Sequence, residues 1–342
     1  LKFLGLEQTF KNALPGLPMG GAKGGADFAP TGRSEAEIMR FCNAFMKELH
    51  RHIGPDLDVP AGDINVGARE IGYLFGAYRR MTGKFEGVLT GKDAAFAGSA
   101  MRTEATGYGV MYFLSQMLRT HEQSIEGKRI IISGAGYVAT YAADKAIALG
   151  ASVISLSDSS GFIHDPDGLN EEKIAWVRAH KAPPGNSLAA YADQFGGTWT
   201  EGASPWSLEA DVAAPCATQN ELNADDAQTL IKNGIAAVIE GANMPSTAKA
   251  KQAFAENDIL LAPGKAANAG GVAVSGLEIS QNRIRRVSAA DDVDKALQGI
   301  MSDVHAACVA EGRRDGRVNY AKGANVAGLR KVADAMVAQG VG

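Results

Sequence analysis

The chain has 342 residues, of which 46% are hydrophobic and 21% charged, and its formal net charge is −4. This length predicts two domains, and the slightly acidic charge excludes the basic surface that nucleic acid or an anionic membrane requires. Three widely separated cysteines and six histidines without metal-ligand spacing predict neither disulfides nor a metal site. No apolar run approaches the roughly 20 residues of a spanning helix, and no signal peptide is visible, so we expect a cytoplasmic protein.

Residues 1–98 form the first predicted unit. The sequence begins in a helical pattern without an initial methionine, so we expect an N-terminal piece to be missing. Ser34 and Glu37 form a capping-box pattern at the start of a helix with an apolar stripe. Two glycine-dense loops, 18–25 and 60–67, flank this helix.

Beyond a connecting helix predicted at 103–118, strands and helices alternate along the chain. The predicted strands are 129–133, 152–157, 212–214, 236–239 and 259–262, and the helices between them include 137–149 and 246–256. Such alternation predicts an α/β fold with a parallel sheet covered by helices on both faces. We assign residues 99–318 to this second domain and expect the C-terminal helix, 319–342, to complete the first.

The segment Gly134-Ala135-Gly136-Tyr137-Val138-Ala139 follows the first of these strands and opens a helix, as in the pattern G-x-G-x-x-A. Here Gly134 permits the tight turn, Gly136 lets the backbone approach a pyrophosphate, and Ala139 permits close helix–strand packing. The helix N-terminus supplies free amide hydrogens to the phosphates. With 41 glycines in the chain, a turn without a ligand is the alternative. The setting favours a Rossmann-type domain that binds a nicotinamide dinucleotide.

Three later strand ends carry polar segments at 216–220, 240–243 and 263–268, and each segment contains an asparagine. Ligands of open α/β sheets bind beyond the carboxyl ends of the strands. Asparagine suits an amide-bearing nicotinamide and its ribose, although it is also an ordinary turn residue. The predicted cofactor contacts at these ends are Ala217, Thr218, Asn243 and Asn268.

The choice between NAD and NADP depends on the end of the second strand. Asp158 lies where an acidic residue usually hydrogen-bonds the ribose hydroxyls of NAD. The hydroxyls beside it, including that of Ser159, can instead accommodate the 2′-phosphate of NADP, and Lys181 can add positive charge. These residues alone leave the choice open.

The first unit contains a lysine, Lys23, between glycines, and a carboxylate, Asp63, in a second glycine loop. The lysine loop is not a Walker A loop, because no Ser or Thr follows the lysine and the spacing differs. Small neighbours let a substrate approach Lys23 closely, and a surface lysine in a flexible loop is the alternative. A lysine and an aspartate that converge on one cleft can perform acid–base chemistry.

Seven motifs resemble those of the hexameric glutamate dehydrogenases, and together they cover essentially the whole chain. They are KFLG through FKN at 2–12, LPMGGAKGG at 17–25, MRFC at 39–42, DVPAGD at 58–63, EATGYG at 104–109, PCATQN at 215–220 and GKAANAGG at 264–271. The resemblance implies a Rossmann-type domain and an α/β substrate and oligomerisation domain with a cleft between them. It also implies a homohexamer.

The implied activity is oxidative deamination of L-glutamate to 2-oxoglutarate and ammonia, and the reverse amination, with NADP preferred and NAD possible. By this resemblance Lys23 is the catalytic lysine that stabilises the carbinolamine, and Asp63 is the proton-transferring carboxylate. Arg102 and Thr106 match positions at the mouth of the nicotinamide site. The residues that match substrate-binding positions are Gln8, Lys11, Gly62, Asn268 and Ser275.

The chain also departs from the family. The lysine that grips the side-chain carboxylate in the family would lie upstream of Leu1, and Pro184 and Ser187 replace basic residues of some NADP-preferring members. Three alternatives stay open: a dehydrogenase of leucine, valine or phenylalanine, a non-catalytic nucleotide-binding paralogue, and an unrelated hydroxyacid dehydrogenase. The last requires a histidine–carboxylate base, which the sequence does not place convincingly.

Overall fold

The computed structural model describes residues 1–182 and 185–340. None of the helices in these ranges combines the length and apolar character needed to cross a membrane. The helices are α1 Lys2–Ala13, α2 Glu35–Leu49, α3 Ala68–Thr82, α4 Ala105–Thr120, α5 Tyr137–Ala148, α6 Glu171–Lys181, α7 Ala190–Phe195, α8 Ala224–Lys232, α9 Ala248–Glu256, α10 Gly264–Ala267, α11 Gly270–Ile284, α12 Ala290–Gly312 and α13 Tyr320–Gln339. The strands are β1 Arg129–Ile132, β2 Ser152–Asp158, β3 Gly161–His164, β4 Thr198–Glu201, β5 Val212–Ala214, β6 Ala237–Ile239, β7 Leu260–Ala262, β8 Arg313–Arg314 and β9 Arg317–Val318.

Seven strands form one sheet in the order β4-β3-β2-β1-β5-β6-β7. The five predicted strands are confirmed as β2, β1, β5, β6 and β7, and their pairings are parallel. Strands β3 and β4 were not predicted. They add an antiparallel edge, because the chain turns back at once between Asp158 and Gly161 rather than crossing over. Their four-residue length gives little periodicity to recognise.

The central strands are buried on both faces of the sheet. In β1, Ile130 and Ile132 belong to one apolar cluster and Ile131 to another, and all three are fully buried. Successive side chains of a strand point to opposite faces, so a continuous apolar run requires cover on both sides. The predicted two-sided packing is therefore confirmed.

Residues 1–98 have a separate core between α2 and α3, which includes Ile38, Met46 and Phe75. The predicted capping box is confirmed at Ser34, whose Oγ accepts from the Glu37 amide while the Glu37 carboxylate accepts from the Ser34 amide. The extended segments that the structure describes in this unit make isolated bridges rather than a sheet. In residues 1–98, helices and loops rather than a sheet therefore position Lys23 and Asp63.

Helix α13 packs along α12 and also against α1. Lys331 Nζ, on α13, donates to the carbonyl of Ala13 at 3.1 Å. A Cβ at Gly328 would lie only 3.1 Å from the Phe10 Cβ, so the glycine allows the two helices to approach closely. The C-terminal helix thus contacts the helix that supports the lysine loop.

His305 on α12 is a buried histidine, 7% exposed, packed against the rings of Phe113 and Tyr320. Burial, with a smaller effect from His121, lowers the pKa of His305 from 6.5 to about 4. As the pH falls from 6.5 towards 4, the unfolded chain gains a proton on this ring before the folded chain does. Stability therefore falls across that window, by up to about 3 kcal/mol from this group.

We expect His305→Gln to flatten this part of the stability profile. Urea unfolding would measure the free energy of unfolding of wild type and variant near pH 7 and near pH 5. Each protein loses some of this free energy between the two pH values, and only the difference between the two losses reports on His305. Equal losses in the two proteins would contradict the assignment.

Candidate active site

Lys23 and Asp63 meet although 40 residues separate them in the chain. The Lys23 ammonium forms a salt bridge with Asp63 Oδ2. The side chains are 19% and 44% exposed, so a small molecule can reach the pair from solvent. A proton-carrying amine and a carboxylate in contact can move a proton to or from a bound molecule.

The loop that carries Lys23 is attached to one side of α1. Thr9 Oγ1 donates to the Gly21 carbonyl at 3.0 Å, and Asn12 Nδ2 donates to the Gly20 carbonyl at 2.5 Å. A Cβ at Gly21 would lie 2.6 Å from the Gln8 carbonyl oxygen, so only glycine fits there. Glycine here is required by a close approach between backbones, and it fixes the path of the chain toward Lys23.

Asp63 is held by a tight turn. The Val66 amide donates to the Asp63 carbonyl at 2.9 Å, and a Cβ at Gly62 would lie 2.5 Å from the Val66 carbonyl oxygen. Asn65 has a φ of 59°, in the left-handed region that asparagine and glycine tolerate and β-branched residues do not. Gly62 therefore contributes backbone space, and Asn65, which was not predicted, contributes the conformation of the turn.

We expect Asn65→Val to destabilise this turn and Asn65→Gly to preserve it. The left-handed conformation costs a β-branched residue on the order of 1–3 kcal/mol, whereas glycine adopts it freely. Urea unfolding would compare the two variants, with the glycine variant as the control of matched position. A valine variant as stable as wild type would show that the turn does not impose this conformation.

Lys11 and Arg102 add positive charge around the pair. Burial, followed by the charge of Lys23, lowers the pKa of Lys11 from 10.5 to about 8, and Asp63 opposes the shift. Burial likewise lowers the pKa of Arg102, with Glu278 and Asp63 opposing. Three cations thus surround one carboxylate, which is an electrostatic environment suited to an anionic substrate. Gln8, one turn before Lys11, donates from its side-chain amide to Asn12 Oδ1 at 2.7 Å.

Arg102 contacts Ser275 on α11, with Nε donating to Oγ at 3.0 Å. Ser275 is 5% exposed. A Cβ at Gly271 would lie 2.4 Å from Thr106 Oγ1 and 3.5 Å from Arg102 Nη1. The predicted residues Arg102, Thr106 and Ser275 therefore lie together along the beginning of α11.

The glycine turn after β1 has the geometry that a dinucleotide requires. Gly134 has a φ of 87°, and a Cβ there would lie 3.1 Å from the Cys216 carbonyl oxygen. Gly136 has open space where a Cβ would stand and is the N-cap of α5, whose first amides are free for phosphates. Ala139 is fully buried, whereas the side chain of Tyr137 is 63% exposed beside the turn. Val138 is partly buried and packs against the core.

Both carboxylate oxygens of Asp158 accept hydrogen bonds, from its own loop and from residues more than 20 positions away. Its Oδ1 accepts from Ser160 N at 2.9 Å and Ser160 Oγ at 2.6 Å, and its Oδ2 accepts from Lys181 Nζ at 3.0 Å and Leu188 N at 2.8 Å. Although burial raises the pKa of Asp158, these hydrogen bonds outweigh it and lower the pKa to about 2. The carboxylate is thus partly neutralised, and Ser159 is exposed next to it. Pro184 lies outside the described residues.

Ala217 and Thr218 are positioned by Glu221, which the sequence pattern did not single out. Glu221 Oε1 accepts from the two amides at 2.9 and 3.2 Å. Burial raises the pKa of Glu221, and the bonds from Ser133 and from these two amides oppose the shift. A glutamate directly after the motif at 215–220, at the same strand end, is the signal that could have identified it.

The side chain of Asn268, which follows β7, bonds to the segment that follows β6, and only its amide nitrogen takes part in these bonds. Its Nδ2 donates to the Gly241 carbonyl and to Asn243 Oδ1, each at 3.0 Å. Its Oδ1 is buried and has no hydrogen-bond partner in the part of the chain that the structure describes. Buried carbonyl oxygens are nearly always bonded, so this oxygen is suited to accept a hydrogen bond from a bound ligand. The amide or hydroxyl groups of a nicotinamide riboside fit that requirement.

The predicted residues thus fall into two groups that meet at α11. Lys11, Lys23, Asp63, Arg102 and Ser275 lie on one side, and the glycine turn with the strand-end loops lies on the other. Asn268 stands immediately before α11 and Ser275 within it. Fold and site together define a Rossmann-type dinucleotide protein that also carries a lysine–aspartate pair, and α11 is the element common to the two groups.

The chain belongs to the Glu/Leu/Phe/Val dehydrogenase family. The family model described as "Glutamate/Leucine/Phenylalanine/Valine dehydrogenase" matches residues 97–340, and the "dimerisation domain" model of the same family matches residues 1–80.

Similar proteins include an NADP-specific glutamate dehydrogenase of Salmonella typhimurium, 56% identical over all of this chain and 76% of the relative. An NAD-specific glutamate dehydrogenase of Bacteroides fragilis is 55% identical, over all of this chain and 77% of the relative. Among solved structures, the glutamate dehydrogenase of Plasmodium falciparum superposes with a TM-score of 0.97 at 45% identity, covering 100% of this chain and 74% of that one.

Proposed function

We propose that this protein interconverts L-glutamate with 2-oxoglutarate and ammonia, using NADP in preference to NAD. The observation that carries the proposal is the contact between Lys23 and Asp63 within a cluster of cations that includes Lys11 and Arg102. The family name covers four amino-acid substrates, so it does not choose among them. The relatives named above are glutamate dehydrogenases, which favours glutamate.

The charges of the cleft favour a dicarboxylate substrate. We assign the α-carboxylate to Lys11, with Gln8 beside it on the same helix. We assign the side-chain carboxylate to Ser275, whose hydroxyl is already bonded to Arg102. A leucine-type substrate offers the same α-carboxylate to Lys11, but its apolar side chain would bring no acceptor for the buried Ser275 hydroxyl, which disfavours it.

The acid–base chemistry belongs to Lys23 and Asp63. A bound nicotinamide would supply the acceptor for the hydride of the substrate α-carbon, and the substrate nitrogen would release a proton to solvent as the amine becomes a protonated imine. The Lys23 ammonium can stabilise charge as water adds to the imine carbon to form a carbinolamine. Asp63 can take the proton that the water loses and return it to the nitrogen that leaves as ammonia. Each step runs backwards for the amination.

The preference for NADP is supported by the state of Asp158. Four donors already fill its two oxygens, so it has little capacity to accept from a ribose hydroxyl. The exposed hydroxyl of Ser159 and the ammonium of Lys181 can instead face a 2′-phosphate. NAD remains possible, because one of the similar relatives is NAD-specific.

We infer that residues 1–98 and α13 form the substrate and oligomerisation side, and residues 99–318 the dinucleotide side. The separate core of α2 and α3 and the contact of α13 with α1 support this division. A homohexamer is our proposal for the assembly, supported by the match to a dimerisation-domain model. The three free, buried cysteines favour a reducing compartment, which supports the cytoplasm.

Initial rates would test substrate and cofactor together. We expect turnover of 2-oxoglutarate with ammonium and NADPH to exceed that of 4-methyl-2-oxopentanoate by about 10³-fold or more, because the apolar substrate leaves buried polar groups unpaired. NADPH should be preferred to NADH. Faster turnover of the branched-chain acid would identify a leucine-type enzyme, and nucleotide binding without any turnover would identify a non-catalytic paralogue.

A further inference from the structure

A fully buried ion pair joins α11 to residues 89–92, a segment that packs against this helix. Lys92 Nζ lies 2.6 Å from Glu278 Oε1, and the two side chains are 1% and 0% exposed. The pair links residues 186 positions apart in the chain. Neither residue is among the predicted site residues, although the charge of Glu278 acts on Arg102.

Glu278 also holds the backbone of this segment. Its Oε2 accepts from the Gly91 amide at 3.0 Å and its Oε1 from the Lys92 amide at 3.4 Å, while Lys92 Nζ donates to the Leu89 carbonyl. On the next turn of α11, the Asn282 side-chain amide donates to the Ala97 carbonyl at 2.8 Å. One face of α11 is therefore attached to residues 89–97 by hydrogen bonds.

The same segment is attached to the loop of Asp63. The Thr90 amide donates to the Pro60 carbonyl at 3.0 Å, and Thr90 forms a parallel bridge with Ala61. Pro60 stands three residues before Asp63 in the chain. A displacement of residues 89–92 would therefore move the backbone that leads to the carboxylate.

Helix α11 touches the other parts of the site as well. Ser275, one turn before Glu278, accepts from Arg102. A Cβ at Gly276 would lie 2.5 Å from Leu17 Cδ1 and 3.1 Å from Met19 Cε, in the segment that leads to Lys23. The helix is thus a common support for the substrate contact and both acid–base loops.

Stability alone does not account for a carboxylate at this place. A buried ion pair can often be replaced by apolar side chains of similar volume without loss of stability, whereas removing one partner leaves an unpaired charge. What apolar side chains would not provide is the pair of hydrogen bonds to the Gly91 and Lys92 amides. The distinctive contribution of Glu278 is therefore the fixed position of residues 89–92 relative to α11.

We propose that Glu278, paired with Lys92, is a positioning residue that holds Ser275 on α11 in register with the loop of Asp63. The inference rests on the proposed function for its kinetic consequence. Misplacing a reacting group by about 1 Å can cost about 10²-fold in rate. Removing the pair should therefore impair the substrate site and leave the dinucleotide site as it is.

The double variant Lys92→Met/Glu278→Leu removes both charges together. We expect it to fold, to bind NADPH with unchanged affinity, to show a higher KM for 2-oxoglutarate, and to lose about 10²-fold in kcat/KM. Amide hydrogen exchange should become faster at residues 60–66, and stay unchanged in β1. Unchanged kcat/KM and unchanged exchange would overturn the proposal.

A matched control is the pair Lys128 and Asp211, which lies at the amino ends of β1 and β5, away from the ligand edge. Asp211 accepts from Lys128 Nζ at 3.4 Å and from the Arg129 amide at 2.8 Å. Lys128→Met/Asp211→Leu should change stability without changing kcat or either KM. A similar kinetic loss in this control would overturn the proposal, because the effect would then come from general destabilisation.

If Lys92→Met/Glu278→Leu fails to fold, we would make the same measurements on Lys92→Met/Glu278→Met, since methionine keeps the length of the side chain but offers no strong acceptor to the Gly91 and Lys92 amides. Loss of kcat/KM with unchanged NADPH affinity supports the positioning role, and wild-type kinetics overturns it. If the wild-type protein does not turn over 2-oxoglutarate, the proposed function fails. Hydrogen exchange then tests the inference alone, because it requires no substrate.

Discussion

Replacing Lys23 by alanine should abolish turnover of 2-oxoglutarate while leaving the affinity for NADPH nearly unchanged. The ammonium is the donor of the Lys23–Asp63 pair and the group best placed to stabilise the carbinolamine, so we expect a loss of about 10³-fold or more in kcat. The dinucleotide turn lies between β1 and α5, more than 100 residues after Lys23 in the chain, and Lys23→Ala changes none of its residues, which is why cofactor binding should persist. Steady-state kinetics and fluorescence titration with NADPH would measure the two effects separately.

The control for this variant is Lys232→Ala, which removes an exposed lysine at the end of α8. It should behave as wild type in both measurements. Activity of Lys23→Ala within about tenfold of wild type would rule out a catalytic lysine in this loop, because groups in this role contribute far more.

Asp63→Asn should retain substrate binding and lose most of kcat. Asparagine keeps the size of the side chain and one acceptor oxygen, but it cannot take a proton at neutral pH. General acid–base catalysis contributes about 10²–10⁴-fold, and we expect a loss of kcat in that range. The KM for 2-oxoglutarate should change much less, since the residues assigned to its carboxylates are Lys11 and Ser275.

The matching control is Asp303→Asn, an exposed carboxylate on α12. If Asp63→Asn raises KM and leaves kcat unchanged, the aspartate binds substrate rather than transferring a proton. Since Asp63 also pairs with Lys23, the variants Lys23→Ala and Asp63→Asn should be far from additive when combined.

Local patterns predicted the parts of the structure that neighbouring residues determine. The glycine turn was recognisable because strand, turn and helix follow one another within 20 residues, roughly the scale of the known fingerprint. The five parallel strands were recognisable as short apolar runs between helical patterns. Ser34 and Glu37 specify their own helix start, because both hydrogen bonds of the capping box are local.

Contacts between distant segments could not be predicted in the same way. Neither Lys92 nor Glu278 has a sequence neighbour that indicates its partner 186 residues away. The convergence of Lys23 and Asp63 was expected from the resemblance rather than from any local pattern. Asp158 matched the pattern of a ribose acceptor, yet donors from Lys181 and Leu188, which reach it through folding, occupy its oxygens.

By the proposed function, the site around Lys23 and Asp63 joins ammonia to 2-oxoglutarate as NADPH is oxidised. Incubation of the protein with ¹⁵N-ammonium, 2-oxoglutarate and NADPH, followed by NMR, tests it most directly. We expect one ¹⁵N-labelled glutamate for each NADPH oxidised with the wild-type protein, and none with Lys23→Ala. Oxidation of NADPH without labelled glutamate, or labelled glutamate formed at the wild-type rate by Lys23→Ala, would contradict it.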